Sequence, residues 1–459
     1  MSAREGARWA LSVVLSLALL MAPALWNGFP LLQYDSGGYL ARWYEGILVP
    51  SRAVVYGLML AASVPLGLWP LLLLQSALTL WTIALMLRAH GCGGRPWLVF
   101  GVTAALSVFT TLPWLTSILL TDVFCGLSVL ALYLLLLRGD TLARAERSGL
   151  IALVAVSSAT HSATFAVLLA LLVAGAAWQL FDRERIGSRA LMRGAVALVL
   201  GATLVFAADY AVAKRLAWTP GGFALSFGHM LQEGIVQKYL GEHCPDPGLR
   251  LCAYKDALPN DADVWFWGSP LFDKLGRFAG LNDEMQTIAL GSLAAYPALQ
   301  AETAAIATAK QLVAVHSGEG VVTWIWHTYG IIDRFTPQLA PAMRAARQQH
   351  GEIGFTLINR VHYPLALFAM LLMPVFAFAA WRGQIAAELG ELGATVTLAL
   401  GANAFVCGAL ANPHDRYGAR VVWLAGFTVA VVIVRSLTHA RDIASGPYAA
   451  TEFPSSALS

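Results

Sequence analysis

Residues 115–137 read LTSILLTDVFCGLSVLALYLLLL, an apolar run whose one charged side chain is Asp122. At a rise of about 1.5 Å per residue, a helix of that length crosses the roughly 30 Å hydrocarbon core of a bilayer. A carboxylate at the centre of that core costs roughly 2.5–3.5 kcal/mol on insertion scales. Asp122 is therefore expected near a water boundary or facing a polar cavity, which makes it a functional candidate.

The same reading extends along the chain. Apolar runs at 10–26, 71–87, 97–112, 150–160, 163–180, 195–212, 361–380, 394–411 and 421–434 join 115–137 to give about ten spans. Residues 54–64 are apolar but short, bracketed by Pro50 and Pro65, and read as an interfacial or re-entrant helix. The composition agrees: 58% hydrophobic and only 12% charged, with a mean hydropathy of +0.64. A soluble chain carries about twice that charged fraction. The expected class is an all-α polytopic membrane protein with juxtamembrane helices and a mainly helical external domain.

Loop charges orient it. With the N-terminus cytoplasmic, Arg4 and Arg8, Arg88 and Arg95, Arg138, Arg144 and Arg147, Arg183, Arg185, Arg189 and Arg193, Arg382, and Arg435 and Arg441 fall on one side. The other side receives the Asp35 loop, the approach to Asp122, the His161 turn, residues 218–354 and the 412–420 loop. Expected units are a transmembrane module, 1–217, with its first external loop at 27–68; an external soluble domain, 218–354; C-terminal transmembrane helices, 355–436; and a cytoplasmic tail, 437–459. The first run also has features of a signal peptide, with Ala22-Pro23-Ala24 as a small-residue site, and the Asp35 loop is outside either way.

Cys92, Cys125 and Cys407 lie in or near apolar runs and read as small core residues. Cys244 and Cys252 bracket a Pro/Gly-rich turn in the external segment, where a pair of this kind forms a disulfide. A zinc site with His243 is the rival, but it lacks the paired C-x-x-C spacing. The external segment is rich in aromatics, among them Trp265 and Trp267, which either pack a core or offer stacking platforms to sugar rings. Arginines are scattered in short loops with no nucleic-acid-binding motif, so no nucleic-acid partner is expected. Walker A, H-E-x-x-H and G-x-S-x-G patterns are missing from the sequence.

Four local patterns carry a family resemblance. Tyr34-Asp35-Ser36-Gly37-Gly38-Tyr39 resembles a first-loop Asp-Glu-x-x-Tyr motif with Ser36 in place of Glu, and Pro50-Ser51-Arg52-Ala53-Val54-Val55-Tyr56 resembles the Lys-Pro-Pro-x-x-Tyr stretch that follows it. Leu120-Thr121-Asp122-Val123-Phe124 resembles a Leu-Asp-Pro segment without the Pro, and Ala159-Thr160-His161-Ser162-Ala163 resembles Thr-Lys-Gly. Their order and sidedness resemble the type C (GT-C) glycosyltransferase superfamily, which includes the aminoarabinose transferase of lipid A and the protein O-mannosyltransferases. The matches cover roughly the first 180 residues, and beyond residue 218 the likeness is architectural.

The resemblance implies an enzyme of the bacterial inner membrane whose site faces the periplasm. It would move a sugar from a polyprenyl-phosphate carrier to a glycan, lipid or protein acceptor among membrane lipids. Such an inverting displacement needs a carboxylate base and groups that stabilise the departing phosphate. Asp35 is the expected base, with Asp122 positioning the acceptor or a metal. His161, which replaces the family's phosphate-binding Lys, joins Arg52, Arg416 and Arg420 as donor-phosphate contacts. Arg416 and Arg420 share one face if a helix begins there, and guanidiniums suit bidentate phosphate binding. Tyr39, Trp265, Trp267 and Tyr417 are acceptor or sugar contacts. Metal dependence stays open, because two acids can hold a divalent cation while several members of that superfamily act without one. The competing classes are a secondary transporter or lipid flippase coupled through Asp35, Asp122 and His161, and a non-catalytic assembly or receptor subunit.

Overall fold

The computed structural model describes residues 2–219 and 222–444; the last part of the expected tail, 445–459, lies outside the described residues. The described chain is all helical. Six helices are long and apolar enough to cross a membrane: Trp69–Ala89, Ser162–Phe181, Ser188–Ala213, Thr356–Trp381, Ala387–Ala409 and Asp415–Thr438. Shorter apolar helices span Val54–Leu66, Pro96–Phe109 and Asp122–Leu137. The runs at 10–26 and 150–160 lie on Ala3–Leu20 with Ala22–Asn27 and on Arg144–Thr160; Ala3–Leu20 and Arg144–Thr160 begin among charged residues.

The 115–137 run is not one helix. It splits into Leu112–Ser117 and Asp122–Leu137, with Ile118 extended between them. A break in an apolar interior frees carbonyls that need donors. Here Leu31 N–H donates to Ser117 O (3.0 Å) and Leu119 N–H donates to Leu31 O (2.9 Å), a parallel bridge to the Asp35 loop. The Gln75 amide reaches Thr116 O and Ile118 O, each at 3.2 Å. Ser36 Oγ donates to Leu119 O at 3.0 Å. The break is thus the seam on which the Asp35 loop is sewn.

Asp122–Leu137 is the centre of the bundle: every residue but Leu137 is buried. A helix apolar on all faces is expected to be enclosed. Helices Trp69–Ala89, Arg144–Thr160, Ser162–Phe181, Ser188–Ala213, Ala387–Ala409 and Asp415–Ala444 all pack against it. Gly126 admits the Trp423 indole so closely that a Cβ would lie 2.6 Å from its Nε1.

Residues 218–354 pack in two ways. The first part has its own core of Phe227, Leu231, Trp265, Phe272, Leu281 and Met285, with a Cys244–Cys252 disulfide at its edge. The second part joins the bundle. Helix Pro297–Val313 lies on Ala387–Ala409, where Gly408 permits contact with the Ala307 carbonyl, and helix Trp326–Phe335 lies on Ser36–Glu45. Ile325, Ile331, Ile332 and Met343 are buried in the same core as the apolar helices.

Candidate functional site

Asp35 precedes helix Ser36–Glu45, in a loop too short to bury a core of its own. Distant polar groups hold it instead. Gln348 accepts from Leu32 N–H (3.0 Å) and donates to Leu32 O (2.7 Å) and Val322 O (3.1 Å). Thr328 Oγ1 accepts from Gly37 N–H at 3.1 Å. Gly37 is required here, because a Cβ would stand 2.6 Å from Thr328 Cα.

Both oxygens of Asp35 face guanidiniums. Oδ1 pairs with Arg52, and Oδ2 accepts from Arg416 Nη1 at 2.7 Å. Arg416 Nε lies 4.0 Å from Asp122 Oδ2, so the cation between the two expected acids is an arginine side chain. Burial opposes ionisation of Asp35, but the charges of Arg52 and Arg416 outweigh it and bring its pKa down to about 2. Tyr39 underlies Arg52, 5.7 Å from guanidinium carbon to ring centre, and burial pushes its phenol up to about 12.

Arg420, one helical turn beyond Arg416, is 0% exposed. Its Nε and Nη2 donate to Asn403 Oδ1 at 2.9 and 2.7 Å, Nη2 lies 3.2 Å from Cys407 Sγ, and Nη1 lies 3.5 Å from His161 Nδ1. No carboxylate lies within 4.0 Å of it among the described residues. Asp122 acts on it from beyond 4.0 Å, and an incoming anion would give this buried charge a closer partner. Tyr417 lies under both cations, 4.9 Å from Arg416 and 5.7 Å from Arg420.

His161 caps helix Ser162–Phe181, its Nδ1 accepting Ala163 N–H at 3.2 Å. Burial, then the charges of Arg420, Arg416 and Arg52, hold its pKa well below the ordinary histidine value. The ring is therefore neutral, and with Nδ1 accepting, its proton sits on Nε2.

Asp35, Asp122, Arg52, Arg416, Arg420, His161, Tyr39 and Tyr417 thus form one cluster. The expected tryptophans do not join it. Trp265 is 0% exposed and packs on Phe272, so its ring fills the core of the 224–299 part and is not open to a sugar. Trp267 is exposed on that part's surface beside Phe278. Among the described residues no three His, Cys, Asp or Glu side chains are grouped to hold a metal.

Glu319 and Asp263, which have no assigned role in the sequence, lie beside the cluster with His414 of the 412–420 loop, a stretch the sequence offers for phosphate contact. Glu319 Oε2 accepts Arg416 N–H at 2.7 Å, and Oε1 meets His414 Nδ1 at 2.8 Å. His414 Nε2 lies 3.5 Å from Asp263 Oδ2. The sequence signals are the density of ionisable groups around His414 and Gly318-Glu319-Gly320, an acid between two glycines, both of positive φ (92° and 76°). No protein-family model, curated protein or solved structure matches the chain. The site's chemistry therefore rests on its own residues.

Proposed function

We propose that this chain is a membrane glycosyltransferase that moves a sugar from a polyprenyl-phosphate carrier to a glycan, lipid or protein acceptor. The observation that carries this reading is the meeting of Asp35, Asp122, Arg52, Arg416 and Arg420 from three distant stretches, with Arg420 buried and no carboxylate within 4.0 Å of it among the described residues. Three guanidiniums converging on one point suit a phosphodiester donor and the phosphate that departs. The four motifs that resemble type C glycosyltransferases support the same reading, and the loop-charge pattern is the one expected of a site on the periplasmic face of a bacterial inner membrane.

The donor's phosphate would lie against Arg416, Arg420 and Arg52, with a hydrogen bond from neutral His161. The acceptor oxygen then attacks the anomeric carbon as the carbon–oxygen bond to phosphate breaks, and the configuration inverts. Asp35 can take the acceptor proton on one condition: the phosphate must first draw Arg52 and Arg416 off it, because a carboxylate held by two guanidiniums is a weak base. Asp122 shares Arg416 and holds it between the two acids.

The test is transfer of radiolabelled sugar from undecaprenyl-phosphate hexoses in proteoliposomes supplied with cell-envelope extract as acceptor. Asp35→Asn is expected to lower transfer by about 10²-fold or more while inserting normally, and Arg416→Ala and Arg420→Ala to weaken donor binding. Full transfer by Asp35→Asn with unchanged donor affinity in both arginine variants would reject the assignment.

A further inference from the structure

His414, Glu319 and Asp263 form a second titratable group at the open side of the cluster. Side-chain exposure rises from 14% for Arg416 through 28% for His414 and 34% for Glu319 to 57% for Asp263. Arg420 closes the buried end. The cationic groups are therefore deep, and the imidazole stands between them and solvent.

His414 is held at its backbone N–H, its carbonyl and Nδ1. Gln311 Oε1 accepts its N–H and Gln311 Nε2 donates to its carbonyl, each at 2.9 Å. Glu319 takes Nδ1 at 2.8 Å and, through its other oxygen, ties the ring to the Arg416 backbone. The Tyr417 ring stands edge-on at 5.4 Å. Only Nε2 is left toward the opening, 3.5 Å from Asp263. An imidazole with one nitrogen fixed by a carboxylate at 2.8 Å and the other facing the exposed Asp263 at 3.5 Å is placed to act as a general base.

We propose that His414 takes the acceptor proton, with Glu319 as its positioning residue and Asp35 kept as the counter-ion of Arg52 and Arg416. The inference rests on the glycosyl-transfer reading and changes one role within it. As the acceptor oxygen bonds to the anomeric carbon, the electron pair of the breaking bond goes to the phosphate oxygen and the proton goes to His414 Nε2. That proton then leaves to water past Asp263, and no exchange of Arg52 and Arg416 is needed first.

The charged groups facing His414 are Glu319 and Asp263, from two other stretches, and Arg416 on the following helix. Burial and Arg416 favour the neutral ring, but Glu319 and Asp263 outweigh them, so the pKa lies above the ordinary histidine value. The base is the neutral form, so the rate rises with pH through that pKa. Asp35, with a pKa of about 2, gives no such rise near neutrality.

The experiment is the pH profile of transfer from undecaprenyl-phosphate hexoses to envelope extract, in proteoliposomes, between about pH 5.5 and 8.5. Wild type is expected to show an acid limb. Glu319→Gln keeps an oxygen for the Arg416 N–H but loses the charge, so the limb moves to lower pH by roughly one unit. His414→Gln is expected to lower kcat by about 10²-fold and leave competition by undecaprenyl phosphate unchanged. A flat wild-type profile, an unmoved limb in Glu319→Gln, or full kcat in His414→Gln overturns the inference alone. Absence of transfer from any of these donors at every pH removes the glycosyl-transfer reading and the inference with it.

Discussion

The 27–52 loop and the 224–299 part are both polar, aromatic-rich stretches between apolar helices, and they are held in opposite ways. The 224–299 part has its own hydrophobic core and a disulfide. The loop is fixed by hydrogen bonds with Gln348, Thr328 and the Leu119 backbone, by its internal Arg52–Asp35 pair, and by the ion pair of Asp35 with Arg416. Only the second kind of construction brings charges from several stretches to one point. A local core stabilises itself, whereas a polar clamp fixes two distant segments relative to each other.

Breaking the self-contained part should give the largest loss of stability and a small loss at the site. Trp265→Ala empties the middle of its core, at a cost of about 3–5 kcal/mol, read as protease cleavage within 224–299 while undecaprenyl-phosphate binding persists. Cys244→Ser opens a short loop and is expected to cost about 2–3 kcal/mol, read by the same cleavage assay. The clamps should behave in the reverse sense. Gln75→Leu leaves Thr116 O and Ile118 O without that donor and Gln348→Leu frees Leu32, each costing roughly 1–3 kcal/mol but lowering transfer sharply. If either glutamine variant keeps full transfer, the seam does not position the acids.

Acid titration sharpens the contrast further. The folded pKa of Asp35 is depressed, so its ion pairs contribute fully above the unfolded value near 4 and are lost as pH falls through about 2. The stability gap between wild type and Asp35→Asn should hold above about pH 4 and shrink below it, as followed by thermal unfolding in detergent. The smallest effect is expected at Arg344, whose pair with Asp333 is solvent-exposed. Arg344→Ala should change stability by less than about 1 kcal/mol.

The apolar runs at 71–87, 163–180, 195–212, 361–380, 394–411 and 421–434 each fall on a helix long enough to cross a membrane. Asp35, Asp122, Arg52, His161, Arg416 and Arg420 stood out because charged or polar groups are rare beside such runs. The helix break at 118–121 was only partly legible: Thr116-Ser117 and Thr121-Asp122 allow a helix start at Asp122, but Ile118-Leu119-Leu120 continues the apolar run, and the freed carbonyls are satisfied by the distant Gln75, Leu31 and Ser36. Trp265 and Trp267 look alike in sequence, yet one fills a core and the other faces outward. That difference arises because a buried face is defined only when a partner packs on it.

The order of helices and the placing of odd charges follow from the chain alone, because transfer of apolar residues out of water is local and adds along a run. The meeting of Asp35 with Arg416, and of Glu319 with His414, was decided by tertiary structure. These contacts are single hydrogen bonds and ion pairs between residues far apart in the chain, and they have no periodicity to betray them. Each is modest in energy and depends on the packed bundle to hold its partners within reach.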